Sequence, residues 1–327
     1  MQTQQEHAFE FTGKGWEYFR IWIVNLLLSI LTLGIYSAWA KVRRLQYFYR
    51  NTQLAGASFE YHGTPIAILK GRIIAFVLLA AYTVAGQMNP LLGILIFLLL
   101  AAVMPWLIVR SLRFKLANSS YRGLRFGFAG SDGGAYAVFL LFPILTLLTL
   151  YLLAPLTHYK IKQYQHNNSR FGDTFFRFDA TPGNFYSIYL KAFGLLLLAG
   201  VFFGISAALH MPVLMVVLPL LYLYIVGFLA VRLPNLIWSK TGLGEHDLYS
   251  RMEVGKYLWI AFTNLLGIVL TLGLYIPFAQ IRMAHYKFSC MGLLAQGDLA
   301  EFVAGQVQTD SATSEETAEM FDLDISL

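Results

Sequence analysis

Five long stretches without a charged residue constrain this chain more than any other feature of its sequence. They span 20, 37, 27, 40 and 25 residues, at positions 21–40, 73–109, 133–159, 192–231 and 257–281. A helix needs roughly 20 apolar residues to cross the hydrocarbon core of a bilayer. Three stretches therefore match one crossing each, and two match a hairpin with two crossings. Charged residues make up only 13% of the chain, too few for a soluble surface, since soluble domains usually carry about 25%.

This pattern predicts an all-α polytopic membrane protein with about seven transmembrane helices and short aromatic interfacial loop segments between them. Asn89-Pro90 and Pro212 supply turn chemistry inside the two longest stretches. The first span is expected to direct insertion, without a cleaved signal peptide. The predicted helices cover residues 21–40, 72–88, 90–109, 135–157, 186–208, 211–231 and 257–280.

The chain also resembles itself. The segment Leu31-Thr32-Leu33-Gly34 recurs as Leu270-Thr271-Leu272-Gly273, and the same shift (264 − 25 = 239) relates Asn25 to Asn264. A middle copy, Leu148-Thr149-Leu150, lies at a shift of 117 (148 − 31). Such self-similarity indicates repeated units. We predict a polytopic domain over residues 1–290, with related units at about 9–109, 126–231 and 248–290, and a disordered acidic tail over residues 291–327.

A short aromatic motif precedes four of the predicted spans. Its alternation has a period of two, which predicts short extended segments with their rings on one face. We expect these segments to anchor the loops at the membrane interface. The four copies are Phe9-x-Phe11-x-Gly13, Phe59-x-Tyr61-x-Gly63, Phe126-x-Phe128-x-Gly130 and Phe176-x-Phe178-x-Ala180.

The distribution of Lys and Arg leaves the topology open. Seven spans would put 13 basic residues on one side of the membrane and 11 on the other. By the positive-inside rule this small bias favours a cytoplasmic C-terminus. If the first, third and fifth uncharged stretches were instead re-entrant, every basic loop would lie on one side.

Several of these segments together resemble one known family. They are the entry Phe9-Glu-Phe11-Thr-Gly13, the span end Gly34-Ile-Tyr36-Ser-Ala-Trp39, the loop Phe59-Glu-Tyr61-His-Gly63 and the closing Leu270-Thr-Leu-Gly273-Leu-Tyr275. The chain is similar to the YjgN-like family of bacterial inner-membrane proteins over roughly residues 8–292. The resemblance implies a location in the bacterial inner membrane and a multi-pass architecture. It implies no activity, because the family's function is unknown.

No sequence pattern indicates catalysis. The chain lacks a phosphate-binding loop and a dinucleotide-type glycine motif. Its seven histidines and its single cysteine, Cys290, show no metal-ligand spacing. We therefore expect no enzyme activity, no catalytic residue, no metal site and no cofactor.

The expected partners are membrane lipids. All 24 Lys and Arg residues lie at or before Lys287, and in a membrane protein such an excess is expected to meet anionic headgroups rather than nucleic acid. The acidic tail offers a surface for a protein partner. The residues expected to contact headgroups are Arg43, Arg44, Arg110, Arg113, Lys160, Lys162 and Arg282.

Two classes of function fit these features. The repeats favour a transporter or channel-like protein for a small solute, with a polar centre formed by Asn25, Asn264, Thr32 and Thr271. The lack of charge within the spans and the basic, aromatic loops favour a non-transporting membrane scaffold or lipid-interacting protein. The sequence leans slightly to transport.

Overall fold

The computed structural model describes residues 4–209, 217–297, 299 and 302–306, and residues 4–297 within this set form ten helices and ten strands; residues 302–306 are also helical. The predicted turn at Pro212 and the predicted disordered tail beyond residue 306 lie outside the described residues. The helices are α1 Gly15–Leu31, α2 Ser37–Arg50, α3 Pro65–Met88, α4 Pro90–Ala117, α5 Asp132–Leu148, α6 Ala154–Asn167, α7 Pro182–Ala208, α8 Val217–Ser239, α9 Val254–Leu270 and α10 Ile276–Ser289.

The strands form a closed antiparallel barrel in which neighbours in the chain are neighbours in the sheet. Strand β1 closes it, because Ala8 is paired with Gly292 of β10 while Phe9 is paired with Leu54 of β2. The strands are β1 Gln4–Phe11, β2 Thr52–Leu54, β3 Ala57–Tyr61, β4 Ser119–Tyr121, β5 Leu124–Phe128, β6 Ser169–Phe171, β7 Thr174–Phe178, β8 Thr241–Leu243, β9 His246–Ser250 and β10 Met291–Gln296.

A pair of helices precedes each of β2, β4, β6, β8 and β10. Five equivalent backbone hydrogen bonds of 2.8–2.9 Å tie the end of each pair to the preceding strand. Every helix pair therefore leaves the barrel and returns to it at the same rim. The bonds run from the amides of Thr12, His62, Ala129, Asp179 and Arg251 to the carbonyls of Asn51, Asn118, Asn168, Lys240 and Cys290.

The prediction of an all-α fold with about seven spans is wrong, because the chain contains a ten-stranded barrel and only four of its described helices are long and apolar enough to cross a membrane. These four are α3, α4, α7 and α8. Helices α1, α5 and α9 have 17 residues each, which gives about 26 Å at 1.5 Å per residue, short of the roughly 30 Å hydrocarbon core. After each of them the chain turns back into a second helix.

The error has a physical cause. A run of uncharged residues measures hydrophobicity, but it does not show where a helix ends. The stretch 21–40 contains most of α1, a turn and the start of α2. The aromatic motifs predicted as loop anchors lie in β1, β3, β5 and β7, and their strand partners are remote in sequence. Residues Met291–Gln296, which the sequence assigned to the tail, form strand β10.

Helices α1, α5 and α9 end in the same kind of turn. The amide of Gly34 donates to the carbonyl of Ser29 at 2.7 Å, and Gly273 donates to Ile268 at 2.8 Å. This six-residue closure is the Schellman motif, whose required left-handed residue directly precedes the donor. That residue is Leu33, Leu150 and Leu272 in the three turns, with φ of 49°, 50° and 50°. The donors Gly34, Tyr151 and Gly273 are left-handed as well, with φ of 91°, 67° and 95°.

Substituting Gly34 by alanine tests this turn. A Cβ at Gly34 would meet no neighbour within 4 Å, so the cost should come from the left-handed backbone alone, about 1 kcal/mol. Gly34→Ala is expected to lower the thermal unfolding temperature of the purified protein. The matched control is Gly71→Ala inside α3, where the Cβ also meets open space and helix propensity should stabilise by up to about 1 kcal/mol. Equal shifts in the two variants would contradict the assignment.

Candidate functional site: the barrel cavity

The barrel encloses a cavity of about 550 Å³. We call it the barrel cavity. Its wall repeats around the barrel, because equivalent positions of the five strand pairs all face inward. The first residue of the aromatic motif contributes Phe9, Phe59, Phe126 and Phe176, and Leu248 is its counterpart in β9. The third residue of each even-numbered strand contributes Leu54, Tyr121, Phe171, Leu243 and Leu293.

Four aromatic rings follow one another around the wall. The ring centroids are 6.0 Å apart for Phe9 and Phe59, 6.5 Å for Phe59 and Phe126, and 6.4 Å for Phe126 and Phe176. These spacings lie in the 4.5–7 Å range of favourable aromatic pairs. Successive side chains of a strand point to opposite faces, so every second residue shares a face. In this barrel that face is the inner one.

The end of the cavity nearest the helices is built from the last turn of each inner helix. Two residues before each helix cap stand Tyr49, Leu116, His166, Trp238 and Phe288. The first strand residue after four of the caps carries a hydroxyl, and each hydroxyl donates to the carbonyl four residues earlier at 2.7–2.9 Å. The hydrogen-bonding needs of these hydroxyls are met by the backbone, so the wall is almost wholly apolar. The four hydroxyl residues are Thr52, Ser119, Ser169 and Thr241.

The opposite end of the cavity is covered by the chain that follows β10. Leu299, Phe302 and Val303 line the cavity there. Phe302 meets His246 edge-on, with ring centroids 4.7 Å apart. The side-chain oxygen of Gln306 accepts a hydrogen bond of 3.0 Å from the amide of Asp173, in the turn between β6 and β7. This segment therefore lies across the strand turns, away from the helices.

Positive charge lies at the helix end of the cavity. Lys115 lines the cavity and is exposed. Burial lowers the pKa of Lys162, and the nearby Lys115 lowers it further. Burial, followed by the charge of Lys162, lowers the pKa of His166 to about 4, so His166 is neutral at physiological pH. The described ion pairs do not include Lys115.

The four residues predicted to form a polar centre differ in their hydrogen bonding in the described structure. Thr32 and Thr271 cap their own turns, each accepting a 2.9 Å hydrogen bond from a backbone amide and donating one of 2.7 Å to a carbonyl. Asn264 is buried, donates to the carbonyl of Ala279 at 3.2 Å and accepts from Arg282 at 3.3 Å. Asn25 is also buried, but its side-chain oxygen has no hydrogen-bond partner among the described residues.

The predicted headgroup contacts fall into two groups. Arg113 donates to the carbonyl of Gly130 at 2.8 Å, Arg282 donates to Thr263 at 2.7 Å, and Lys162 donates to Gln165 at 3.2 Å. These three are engaged within the protein. The other four lie over aromatic rings at 5.3–5.8 Å: Arg43 over Tyr36, Arg44 over Phe48, Arg110 over Trp106 and Lys160 over Tyr159.

The barrel cavity was missed at the level of sequence, although its signal was present. The rings of Phe59 and Phe126 were interpreted as anchors at the membrane interface. The local sequence cannot distinguish a ring that faces lipid from a ring that faces the inside of a barrel. The Asn-Thr and Asn-Ser pairs at 51–52, 118–119 and 168–169 recur at equivalent points. Each pair marks the point at which a helix ends and a barrel strand begins.

The fold and the cavity define a membrane protein in which helix hairpins extend from one rim of a closed barrel. A family model described as "Bacterial protein of unknown function (DUF898)" matches residues 6–320. The chain belongs to this family, and the predicted resemblance is confirmed. The match brings no activity.

Curated relatives agree with this assignment. The chain is 28% identical over 285 residues to inner membrane protein YjgN of Escherichia coli K12, which covers 85% of this chain and 61% of the relative. It is 34% identical over 153 residues to inner membrane protein YjgN of Salmonella typhimurium, covering 46% and 39%. This chain thus spans less than two thirds of the length of these relatives. No solved structure matches it. The predicted location in the bacterial inner membrane is confirmed.

The two repeat-related asparagines should respond differently to the same substitution. Asn264→Leu leaves the Ala279 carbonyl and one N–H of Arg282 without their hydrogen-bond partner, so we expect the free energy of unfolding to fall by about 1–3 kcal/mol. Asn25→Leu removes a buried oxygen that has no partner in the described structure, so it should be neutral or stabilising. Thermal unfolding of the two purified variants gives the comparison. Equal destabilisation would mean that Asn25 also has a bonding role.

Proposed function

We propose that this chain is a four-span, multi-pass membrane protein that is not a transporter: its barrel lies at the cytoplasmic surface and interacts with anionic lipid. One observation carries the proposal. All five helix pairs start and end at one rim of the barrel, and the uncharged stretches 73–109 and 192–231 contain the outer ends of the two long pairs. Every Lys and Arg then lies on the barrel side of the hydrocarbon core, which the positive-inside rule assigns to the cytoplasm.

The surface of the long helices supports the membrane assignment. In the most apolar stretch of each, no more than 17% of the residues are buried. Leu95 and Leu196, in α4 and α7, are 63% and 53% exposed. In water such continuous apolar surface would be unfavourable, whereas lipid accommodates it. The barrel itself does not fit a spanning role, because its strands have three to eight residues and a spanning strand needs about nine to eleven.

The three short helix pairs support an interfacial role. Leu33, Leu150 and Leu272 stand at their tips and are 95%, 86% and 95% exposed. Fully exposed leucines at equivalent places favour insertion into the outer part of a lipid leaflet. These pairs then dip into the membrane and return to the barrel side, as the re-entrant alternative expects.

The cationic side chains over aromatic rings support lipid contact. Arg43 and Arg110 are exposed; Arg43 lies over Tyr36, which precedes its helix, and Arg110 lies over Trp106 of its own helix. Aromatic and cationic groups together are typical of the headgroup layer. Arginine recognises phosphate through its several N–H donors.

The arrangement of the spans weighs against a solute carrier. Helices α3 and α4 pack on each other, as do α7 and α8, but the described parts of these two hairpins share no extensive contact. A carrier of the predicted kind needs a polar site between repeated bundles. Thr32 and Thr271 are already satisfied by the backbone of their own turns.

Cysteine labelling tests the four-span topology. Single cysteines replace Arg125, Glu245 or Met88 in a Cys290→Ser background, and a membrane-impermeant maleimide is applied to intact spheroplasts and to inside-out vesicles. Arg125→Cys and Glu245→Cys should both react only in inside-out vesicles, and Met88→Cys only in spheroplasts. Reaction of Arg125→Cys and Glu245→Cys from opposite sides would support seven spans and refute the proposal.

Charge removal tests the lipid contact. Each basic residue near an anionic surface contributes about 1 kcal/mol, so Arg43→Gln with Arg110→Gln should reduce the phosphatidylglycerol that co-purifies in polymer-extracted native nanodiscs. High salt should shrink the difference. The control is Arg177→Gln, whose guanidinium pairs with Asp179 and with Asp247 at 2.8 Å. If the amount of co-purified phosphatidylglycerol is unchanged in the double variant, Arg43 and Arg110 do not bind headgroups.

A further inference from the structure

The barrel cavity is too large to be a packing defect. Protein interiors are close-packed and contain few voids larger than a water molecule. This cavity, at about 550 Å³, falls within the roughly 300–1,000 Å³ typical of small-molecule sites. The aromatic side chains of Phe59 and Phe126 line it. Water binds weakly in an apolar cavity, because it finds few hydrogen-bond partners there. Such a space is suited to an apolar occupant.

Its size indicates the kind of occupant. At about 30 Å³ for a water-sized group, 550 / 30 gives room for roughly 18 such groups. A single long hydrocarbon chain has about that many carbon atoms. A lipid with two chains would leave one of them outside.

The two ends of the cavity differ, and the difference indicates where a ligand comes from. Leu299, Phe302 and Val303 cover the end at the strand turns. The other end reaches Lys115 and Trp238 in the last turns of α4 and α8, two of the long apolar helices. A ligand that enters between these helix ends comes from the membrane side.

Lys115 supplies the charge that a headgroup would need. Its side chain lines this end of the cavity, is exposed and has no acidic partner in the described ion pairs. Ionised groups form stronger hydrogen bonds than neutral ones. A ligand with a hydrocarbon chain in the barrel and an anionic head at the helix end would satisfy both the apolar wall and the lysine.

We propose that the barrel cavity binds one single-chain anionic amphiphile of the fatty-acid type, with its chain among Phe59, Phe126 and Phe176 and its anionic head at Lys115. This site is distinct from the outer headgroup contacts of the proposed function. Binding inside the barrel does not depend on which side of the membrane the barrel faces.

Photo-crosslinking tests the site in the full chain. The protein is reconstituted in phosphatidylcholine nanodiscs and exposed to a palmitate analogue with a diazirine near the chain end. Crosslinked residues are mapped by mass spectrometry, and unlabelled palmitate competes. We expect saturable labelling of strand residues that line the cavity. Labelling confined to the lipid-facing sides of α3, α4, α7 and α8 would overturn the proposal.

Filling the cavity gives the first matched pair of variants. Leu243→Trp adds a ring to the cavity wall and should reduce barrel labelling at least fivefold. Phe175→Trp places the same indole side chain at an exposed strand position and should leave labelling unchanged. Thermal unfolding reports whether both variants are folded, and Ser169→Leu fills the cavity from another strand if Leu243→Trp is not. Undiminished labelling of a folded, filled variant would overturn the site.

Removing the charge gives the second pair. Lys115→Ala should weaken competition by palmitate roughly twofold to fivefold, the range expected for a partly solvated ion pair. It should leave competition by hexadecanol, which lacks the charge, unchanged. Lys160→Ala is the control, since Lys160 donates to Gln163 at 3.1 Å outside the cavity. Lysophosphatidylglycerol competing better than palmitate would assign the head to a phosphate, and equal effects of both lysine variants would overturn the role of Lys115.

Discussion

Backbone hydrogen bonding between the first and last strands, β1 and β10, is the constraint on which the rest of the structure depends. Strands of three to five residues, such as β2 and β3, form few hydrogen bonds each, and isolated hairpins are marginal. Closure removes every free edge. Strand β1 provides it by pairing with β10 through Ala8 and Gly292, and with β2 through Phe9 and Leu54.

Closure also decides how the helices meet the membrane. Since consecutive strand pairs share one rim, each connection must return to the side from which it left. A helix pair can do so by crossing the membrane twice, as proposed for α3 with α4 and for α7 with α8, or by turning back early. The Schellman turns at Gly34 and Gly273 turn the chain back early, after helices of only 17 residues. The alternation of short and long pairs around the barrel is therefore compatible with one membrane surface.

The same closure creates the cavity. The diameter of a barrel grows with the number of strands, and ten strands enclose more space than the rings of Phe9, Phe59 and Phe126 fill. The last turns of the inner helices limit this space at one end, and the segment with Phe302 limits it at the other. An apolar chamber is the most specific chemical feature of the described structure, and Lys115 places a positive charge at its helix end.

Hydrophobicity along the chain was enough to determine membrane residence and the two long hairpins, because a span of about 20 apolar residues is a local property. The family was recognised from short motifs such as Phe9-Glu-Phe11-Thr-Gly13. The period-two rings of Phe59 and Phe126 likewise determined extended segments. The sequence did not determine what those segments pair with, since strand partners such as β1 and β10 lie almost 290 residues apart and hydrogen bonds between them leave no local pattern. Only the tertiary structure decided that just four of the described helices are long and apolar enough to span a membrane, and that residues 291–296 belong to the barrel. The physical reason is that barrel closure depends on the positions of all ten strands at once, because each strand pairs with two others.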